Sequence, residues 1–328
     1  MSQVDSLLVI GAGSVGSRHL MNAAAAGVKD LMVLHNGMQR RPLPQDVRVE
    51  TDLNHALSRK PHAVVVANPT SLHIDYALAA ARAGCHLLIE KPLSHAPRGI
   101  DELRKEVTNQ GLAAMVGYQY RFHPSLRQVK SWLLERAIGE IVSANVTWGE
   151  YLPDWQPWRD YRTSYSARAS LGGGVLLTLS HPIDYLRWLL GEVVSVSAMT
   201  AMRSGLNIDV EDTALVHLEF GNGAMASLSL NYVQRPTQHN FTIVGREGVI
   251  CWDNADGLAV LEVNGKRSEA AVPEQFERNA LFIAELNHFF DCAAGRNRPT
   301  CSLEDGERTL AVCLAAKESA RSGRRIDV

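Results

Sequence analysis

Ser6-Leu-Leu-Val-Ile10 runs straight into Gly11-Ala-Gly13-Ser-Val-Gly16, and no proline interrupts the helix formers that follow to residue 26. A short apolar run is what a buried parallel strand requires. Strand, GxGxxG and helix in that order predict a dinucleotide cradle. Gly11 permits the tight turn, Gly13 lets backbone approach a pyrophosphate, and Gly16 lets helix and strand pack closely. Ser14 and Val15 open the helix, whose free N–H groups attract an anion.

A second apolar run, residues 31–34, is expected to end beside the adenosine ribose. An NAD-preferring site usually places Asp or Glu there. Here the tip reads His35-Asn36-Gly37, with Arg40 and Arg41 beyond it. Guanidinium groups at this point suit a 2′-phosphate, so the cofactor is read as NAD or NADP with a lean to NADP. Solvated loop charges are the other reading of the two arginines.

Further along, apolar strands at 63–67, 86–89 and 113–116 alternate with helical stretches at 71–83 and 100–110. This rhythm predicts a doubly wound parallel sheet. Ligands of such sheets lie beyond the carboxyl ends of the strands. Asn68-Pro69-Thr70, Glu90-Lys91-Pro92 and Gly117-Tyr118-Gln119 all fall at those ends.

The rhythm breaks at residues 121–125. A helix over 126–137 leads into strand-like stretches at 143–148, 213–220, 224–232, 241–244 and 248–252. Asn222-Gly223 and Asn264-Gly265 read as hairpin turns. Helices over about 274–293 and 303–321 close the chain. The expected architecture is α/β: a Rossmann domain over 1–122, then an α/β domain over 123–328 with a large, mostly antiparallel open sheet.

The 328 residues carry 46% hydrophobic and 21% charged side chains and a net charge of −2. That balance suits a globular protein with a sizeable core and argues against a nucleic-acid partner. The first strand begins too early for a signal peptide, and no apolar stretch approaches the roughly 20 residues of a membrane span. Five scattered cysteines without CxxC spacing read as reduced core residues, which places the chain in the cytoplasm and predicts no metal.

Taken together, these motifs resemble the Gfo/Idh/MocA oxidoreductases, the glucose-fructose oxidoreductase and inositol dehydrogenase family. The resemblance rests on Gly11, Gly13 and Gly16, on Asn68-Pro69 with His73, and on Glu90-Lys91-Pro92. It extends through residues 117–124, Gly172-Gly-Gly174 and His181-Pro-Ile-Asp184. It implies a sugar or cyclitol substrate and a homodimer or homotetramer built on the C-terminal sheet.

The resemblance assigns Lys91 to the nicotinamide ribose and the reacting hydroxyl, where an ammonium favours alkoxide character. His181 matches the family's proton acceptor, a task that suits imidazole, whose unperturbed pKa lies near neutrality. Asp184, one turn later, could orient His181 or bind a substrate hydroxyl, and it equally suits the first turn of a helix as a carboxylate that favours the dipole. Many relatives carry an acidic residue three or four positions before the histidine; Thr178 stands there and cannot accept a proton at neutral pH. Residues 150–168 are rich in aromatic and basic side chains. Trp158-Arg159 matches a pair that reaches the cofactor in relatives. Tyr151, Trp155, Tyr161, Arg162, Tyr165 and Arg168, with Tyr118, are expected to wall the substrate. The surplus arginines suggest a sugar phosphate or a nucleotide sugar such as a UDP-N-acetylhexosamine. An NAD-dependent glycosidase with transient oxidation and a non-catalytic dinucleotide-binding regulator are the alternatives.

Overall fold

The computed structural model describes residues 4–35, 37 and 43–328, so Asn36, Arg40 and Arg41 lie outside the described residues. The chain forms two compact units: residues 1–119 with 277–307, and residues 120–276 with 308–328. The single cut after residue 122 therefore misplaces 277–307, which return to the first unit.

In the first unit, β1 (Ser6–Ile10), β2 (Asp30–Leu34), β3 (Arg48–Glu50), β4 (Ala63–Val66), β5 (His86–Glu90) and β6 (Ala114–Gly117) are joined by α1 (Ser14–Ala25), α2 (Leu53–Ser58), α3 (His73–Arg82) and α4 (Ile100–Asn109). The order β3-β2-β1-β4-β5-β6 is parallel throughout. Every residue of β4 is buried, as expected of a sheet covered on both faces. One face packs Val9, Val33, Val65 and Leu88 against Leu20 of α1 and Leu286, Phe289 and Phe290 of a later helix, α8 in chain order (Asn279–Ala293). That packing is why this helix belongs to the first unit.

The second unit contains α5 (Pro124–Leu134), β7 (Ile141–Tyr151), α6 (Val175–Thr178), α7 (His181–Leu190) and strands β8 (Val193–Ala201), β9 (Thr213–Phe220), β10 (Met225–Asn231), β11 (Val233–Gly245), β12 (Gly248–Asp253), β13 (Leu258–Val263) and β14 (Lys266–Ala270). A last helix, α9 (Leu303–Ser322), precedes β15 (Ile326–Asp327). The sheet order is β14-β13-β12-β11-β7-β10-β9-β8-β15, antiparallel except where β10 runs parallel to β7. Side chains alternate: Val146, Trp148, Val216, Leu228, Ile243 and Trp252 are buried, while Met199, Leu215 and Met225 stand exposed on the open face. All five cysteines are unpaired; four are buried, but Cys251 is exposed rather than in the core. No helix among the described residues is long and apolar enough to cross a membrane.

Before α5, burial favours the neutral form of one histidine. Trp252 Nε1 donates to Ser125 Oγ at 3.0 Å, and the same hydroxyl lies 2.9 Å from His123 Nδ1. Burial holds the His123 pKa down at about 4. An unfolded chain takes up this proton first, so its contribution to stability is present above pH 6.5 and is lost as pH falls towards 4. The loss is about 3 kcal/mol, at roughly 1.4 kcal/mol per pKa unit. Denaturant unfolding across this range is expected to follow that slope, and to flatten in His123→Gln. An unchanged slope in the variant would remove His123 as its source.

Candidate active site

The glycine turn has the shape of a phosphate cradle. Gly11 has φ +103°, and a Cβ there would lie 2.7 Å from the Ala67 carbonyl oxygen. A Cβ on Gly16 would lie 1.9 Å from the Gly11 carbonyl oxygen, so strand and helix could not keep their contact. At Gly13 nothing lies within 4 Å, which leaves that face open. Gly13 is also the N-cap of α1 and supplies no side-chain cap, so the first-turn amides, including those of Ser14 and Val15, are available to an anion. Gly16→Ala is expected to cost about 1–3 kcal/mol of stability through overpacking. Gly13→Ala is expected to keep wild-type stability and still weaken dinucleotide binding. Paired thermal-denaturation and cofactor-titration measurements check this contrast; equal destabilisation of both variants would contradict it.

Beyond the cradle, the carboxyl ends of β4, β5 and β6 present Asn68, Lys91 and Gln119. The Asn68 amide is shielded from solvent, and neither its oxygen nor its nitrogen has a hydrogen-bond partner among the described residues. The Gln119 amide oxygen is in the same condition, on a residue 2% exposed. Buried polar groups are normally satisfied, so two such amides, after β4 and β6 on either side of β5, suit a polar ligand at the strand ends. Cradle and amides together fit a dinucleotide.

Other residues of this set face inward. Glu90 lies 2.8 Å from His19 Nε2 through one carboxylate oxygen and accepts from its neighbour Lys91 N at 3.3 Å through the other. Thr70 and Tyr118 are buried, and Pro69 caps a short turn at residues 70–72. His73, 2% exposed, has both ring nitrogens on backbone carbonyls, at 3.0 Å from Pro92 and 2.9 Å from Asn68. His35 donates its backbone N–H to Glu50 O at 3.1 Å.

In the second unit His181 opens α7, 2% exposed, after Ser180 and ahead of Pro182. Its ring meets Tyr120 edge-on at 4.9 Å and Trp148 in a stack at 5.7 Å. Trp148 stacks in turn on His239 at 4.0 Å and 4°. Thr178 is buried and bonds towards the Tyr232 hydroxyl, whose pKa burial raises well above the ordinary value. Asp184 departs from expectation. It is 1% exposed, and both carboxylate oxygens accept from Arg121, at 3.0 and 2.8 Å. It is the anion of a buried ion pair rather than an open substrate ligand.

The segment 152–171 is a chain of short turns. Trp155 Nε1 is buried with no partner among the described residues. Tyr161 donates to Leu206 O at 2.9 Å, Arg235 lies 3.8 Å over the Tyr151 ring, and Tyr165 begins a turn of its own. Arg159 holds Thr163 at Oγ1, and Trp158 is 60% exposed. Arg162 forms a fork with Asp160, whose pKa falls below its ordinary value because of that bond, and Arg168 donates to Arg162 O.

Two family models match the chain: the NAD-binding Rossmann fold of an oxidoreductase family over residues 6–118, and the GFO/IDH/MocA C-terminal domain over 126–251. The chain belongs to the GFO/IDH/MocA oxidoreductases. A levoglucosan dehydrogenase of Pseudarthrobacter phenanthrenivorans is 28% identical over 314 residues, spanning 81% of this chain and 80% of its own. A myo-inositol 2-dehydrogenase of Thermotoga maritima is 26% identical over 97% of both chains. The solved structure of a levoglucosan dehydrogenase with NADH and levoglucosan matches at TM-score 0.87 and 22% identity over 98% of both chains. The WlbA dehydrogenase of Bordetella pertussis with NADH and UDP-GlcNAcA matches at 0.82 and 24%, again over 98% of both. Sequence and fold therefore make this chain an NAD(P)-dependent oxidoreductase of a sugar and polyol dehydrogenase family.

Several residues of the site were not singled out from sequence. Trp148 and His239 face each other across β7 and β11, a pairing that only the register reveals. Arg121 lies in a quoted family motif, but nothing local links it to Asp184. His19, on the inner face of α1, is placed by the helix period alone.

Proposed function

We propose that the chain oxidises a secondary hydroxyl of an uncharged sugar or polyol to a ketone, or runs the reverse reduction, with Lys91 and His181 as its catalytic pair. The observation that carries this reading is the row of Asn68, Lys91 and Gln119 at neighbouring strand ends, two of them with unsatisfied amides. Gly11, Gly13 and Gly16 with the first turn of α1 would hold the pyrophosphate, and Asn68 and Gln119 the nicotinamide half. When bound, the nicotinamide supplies the hydride acceptor. His181 takes the hydroxyl proton, and the aromatic walls of Tyr120 and Trp148 fix the imidazole plane. The Lys91 ammonium stabilises the oxyanion that develops as the C–H bond breaks. Thr178 can hold a hydroxyl in place but leaves His181 as the acceptor.

An uncharged substrate is favoured because Asp160 already neutralises Arg162, one of the two arginines that suggested an anion. The tip of β2 favours NADP, since no carboxylate follows Leu34 and Arg40 and Arg41 lie beyond. The reading includes a cytoplasmic enzyme, in keeping with five unpaired cysteines, that self-associates through the open sheet face bearing Met199, Leu215 and Met225. The test is a matrix of NAD and NADP against anhydrosugars, inositols, free hexoses and UDP-sugars, following reduced nicotinamide. Turnover of a neutral sugar or polyol is expected. Preference for a UDP-sugar would restore the anionic substrate, and sugar release without net reduction would indicate redox-neutral glycosidase chemistry.

A further inference from the structure

His73 binds two acceptors at once. Its Nδ1 lies 3.0 Å from the carbonyl oxygen of Pro92, and its Nε2 lies 2.9 Å from that of Asn68. Those carbonyls belong to the loops after β5 and β4, the ones that carry Lys91 and the unsatisfied Asn68 amide. A neutral imidazole has one N–H and one lone pair, so it can satisfy only one carbonyl and must turn its lone pair on the other. Only an imidazolium donates to both.

We propose that His73 is a positioning residue which, as an imidazolium, clamps the Asn68 loop to the Lys91-Pro92 loop and so fixes the backbone from which Lys91 acts. The importance of Lys91 rests on the proposed function; the charge on His73 does not.

Burial works against this charge and pulls the His73 pKa below its ordinary value, while the carbonyls of Asn68, Pro92 and Leu93 and the carboxylate of Glu90 oppose that pull. The geometry weighs on the side of the charge, because the neutral ring would set two lone pairs at hydrogen-bond distance in a site 2% exposed. The carboxylate acting on it is Glu90 on β5; Asp75 stands two residues along its own helix, and Lys91 precedes the Pro92 whose carbonyl the ring meets. Behind Glu90 stand His19 of α1 and Glu285 of α8, whose ligand-type atoms lie within 4.8 Å of one another and of the Glu90 carboxylate. The Glu90 carboxylate favours a buried cation at His73.

The experiment uses the full chain labelled with ¹⁵N-histidine, with His73 assigned by the resonances lost in His73→Gln. Ring-nitrogen shifts at neutral pH are expected to report protons on both nitrogens. His73→Phe, which keeps a ring but no donor, is expected to lose about tenfold or more in kcat while the dinucleotide dissociation constant moves by less than about threefold. A single protonated nitrogen overturns the proposal, and so does an unchanged kcat in His73→Phe. If His73→Phe does not fold, the ring shifts of the wild-type chain still decide it. Retained turnover in Lys91→Ala would remove the catalytic reading of the lysine and leave the ring spectrum untouched, so the two failures are told apart.

Discussion

Lys91→Ala is expected to lower kcat by about 10³-fold, within the range that a positioned proton-transfer or oxyanion-stabilising group supplies. The fall should be confined to turnover. Lys91 follows β5 and donates its backbone N–H to its own neighbour Glu90 at 3.3 Å, a bond that survives loss of the side chain. The glycine cradle and the amides of Asn68 and Gln119 are untouched, so dinucleotide affinity in the absence of substrate should stay within about threefold. Lys91→Arg keeps a cation but replaces a compact ammonium with a planar fork, and should recover only part of the loss. Single-turnover kinetics with a fluorescence titration of the dinucleotide separate the two quantities. Wild-type turnover in Lys91→Ala would refute the assignment, while a matched loss of affinity would recast the lysine as a cofactor ligand.

How far the chain can be read without coordinates depends on the range of the interaction that fixes each residue. The first sheet was legible because each strand is a self-contained apolar run and each crossover a self-contained helix; even the strand-end positions of Asn68 and Lys91 follow from local pattern. The open sheet was legible in type from its period-two stretches, although β8, β13, β14 and β15 were not named as strands, and in the first sheet the three-residue β3 offers too few periods to read. The return of residues 279–293 to the first unit was not legible, because the faces of Leu286, Phe289 and Phe290 name no partner until the sheet they cover exists. Within the site, His181 was placed by its motif, whereas its surroundings arise from cross-strand register and helix facing. The partner of Asp184 was hidden for the same reason. A carboxylate one turn after a histidine looks available in sequence, and Arg121, 63 residues away, is what occupies it.

That ion pair carries the other large effect. Asp184→Ala is expected to cost about 3–5 kcal/mol, because it strands the Arg121 guanidinium in a buried position without its anion. The pair is 3% and 1% exposed at its two side chains, and two parallel N–H···O bonds hold it. Against a total stability of roughly 5–15 kcal/mol, a loss of that size is a large part of the fold. Thr309 adds a longer contact to the same carboxylate at 3.4 Å and accepts from Arg187 at 2.7 Å, so the damage should spread towards α9. Replacing both partners, as in Arg121→Met with Asp184→Leu, removes the stranded charge and should recover much of the stability. Denaturant midpoints of the single and double variants measure this directly. If Asp184→Ala keeps its midpoint and instead raises the substrate KM, the carboxylate binds substrate after all, and the Arg121 pair is incidental to the fold.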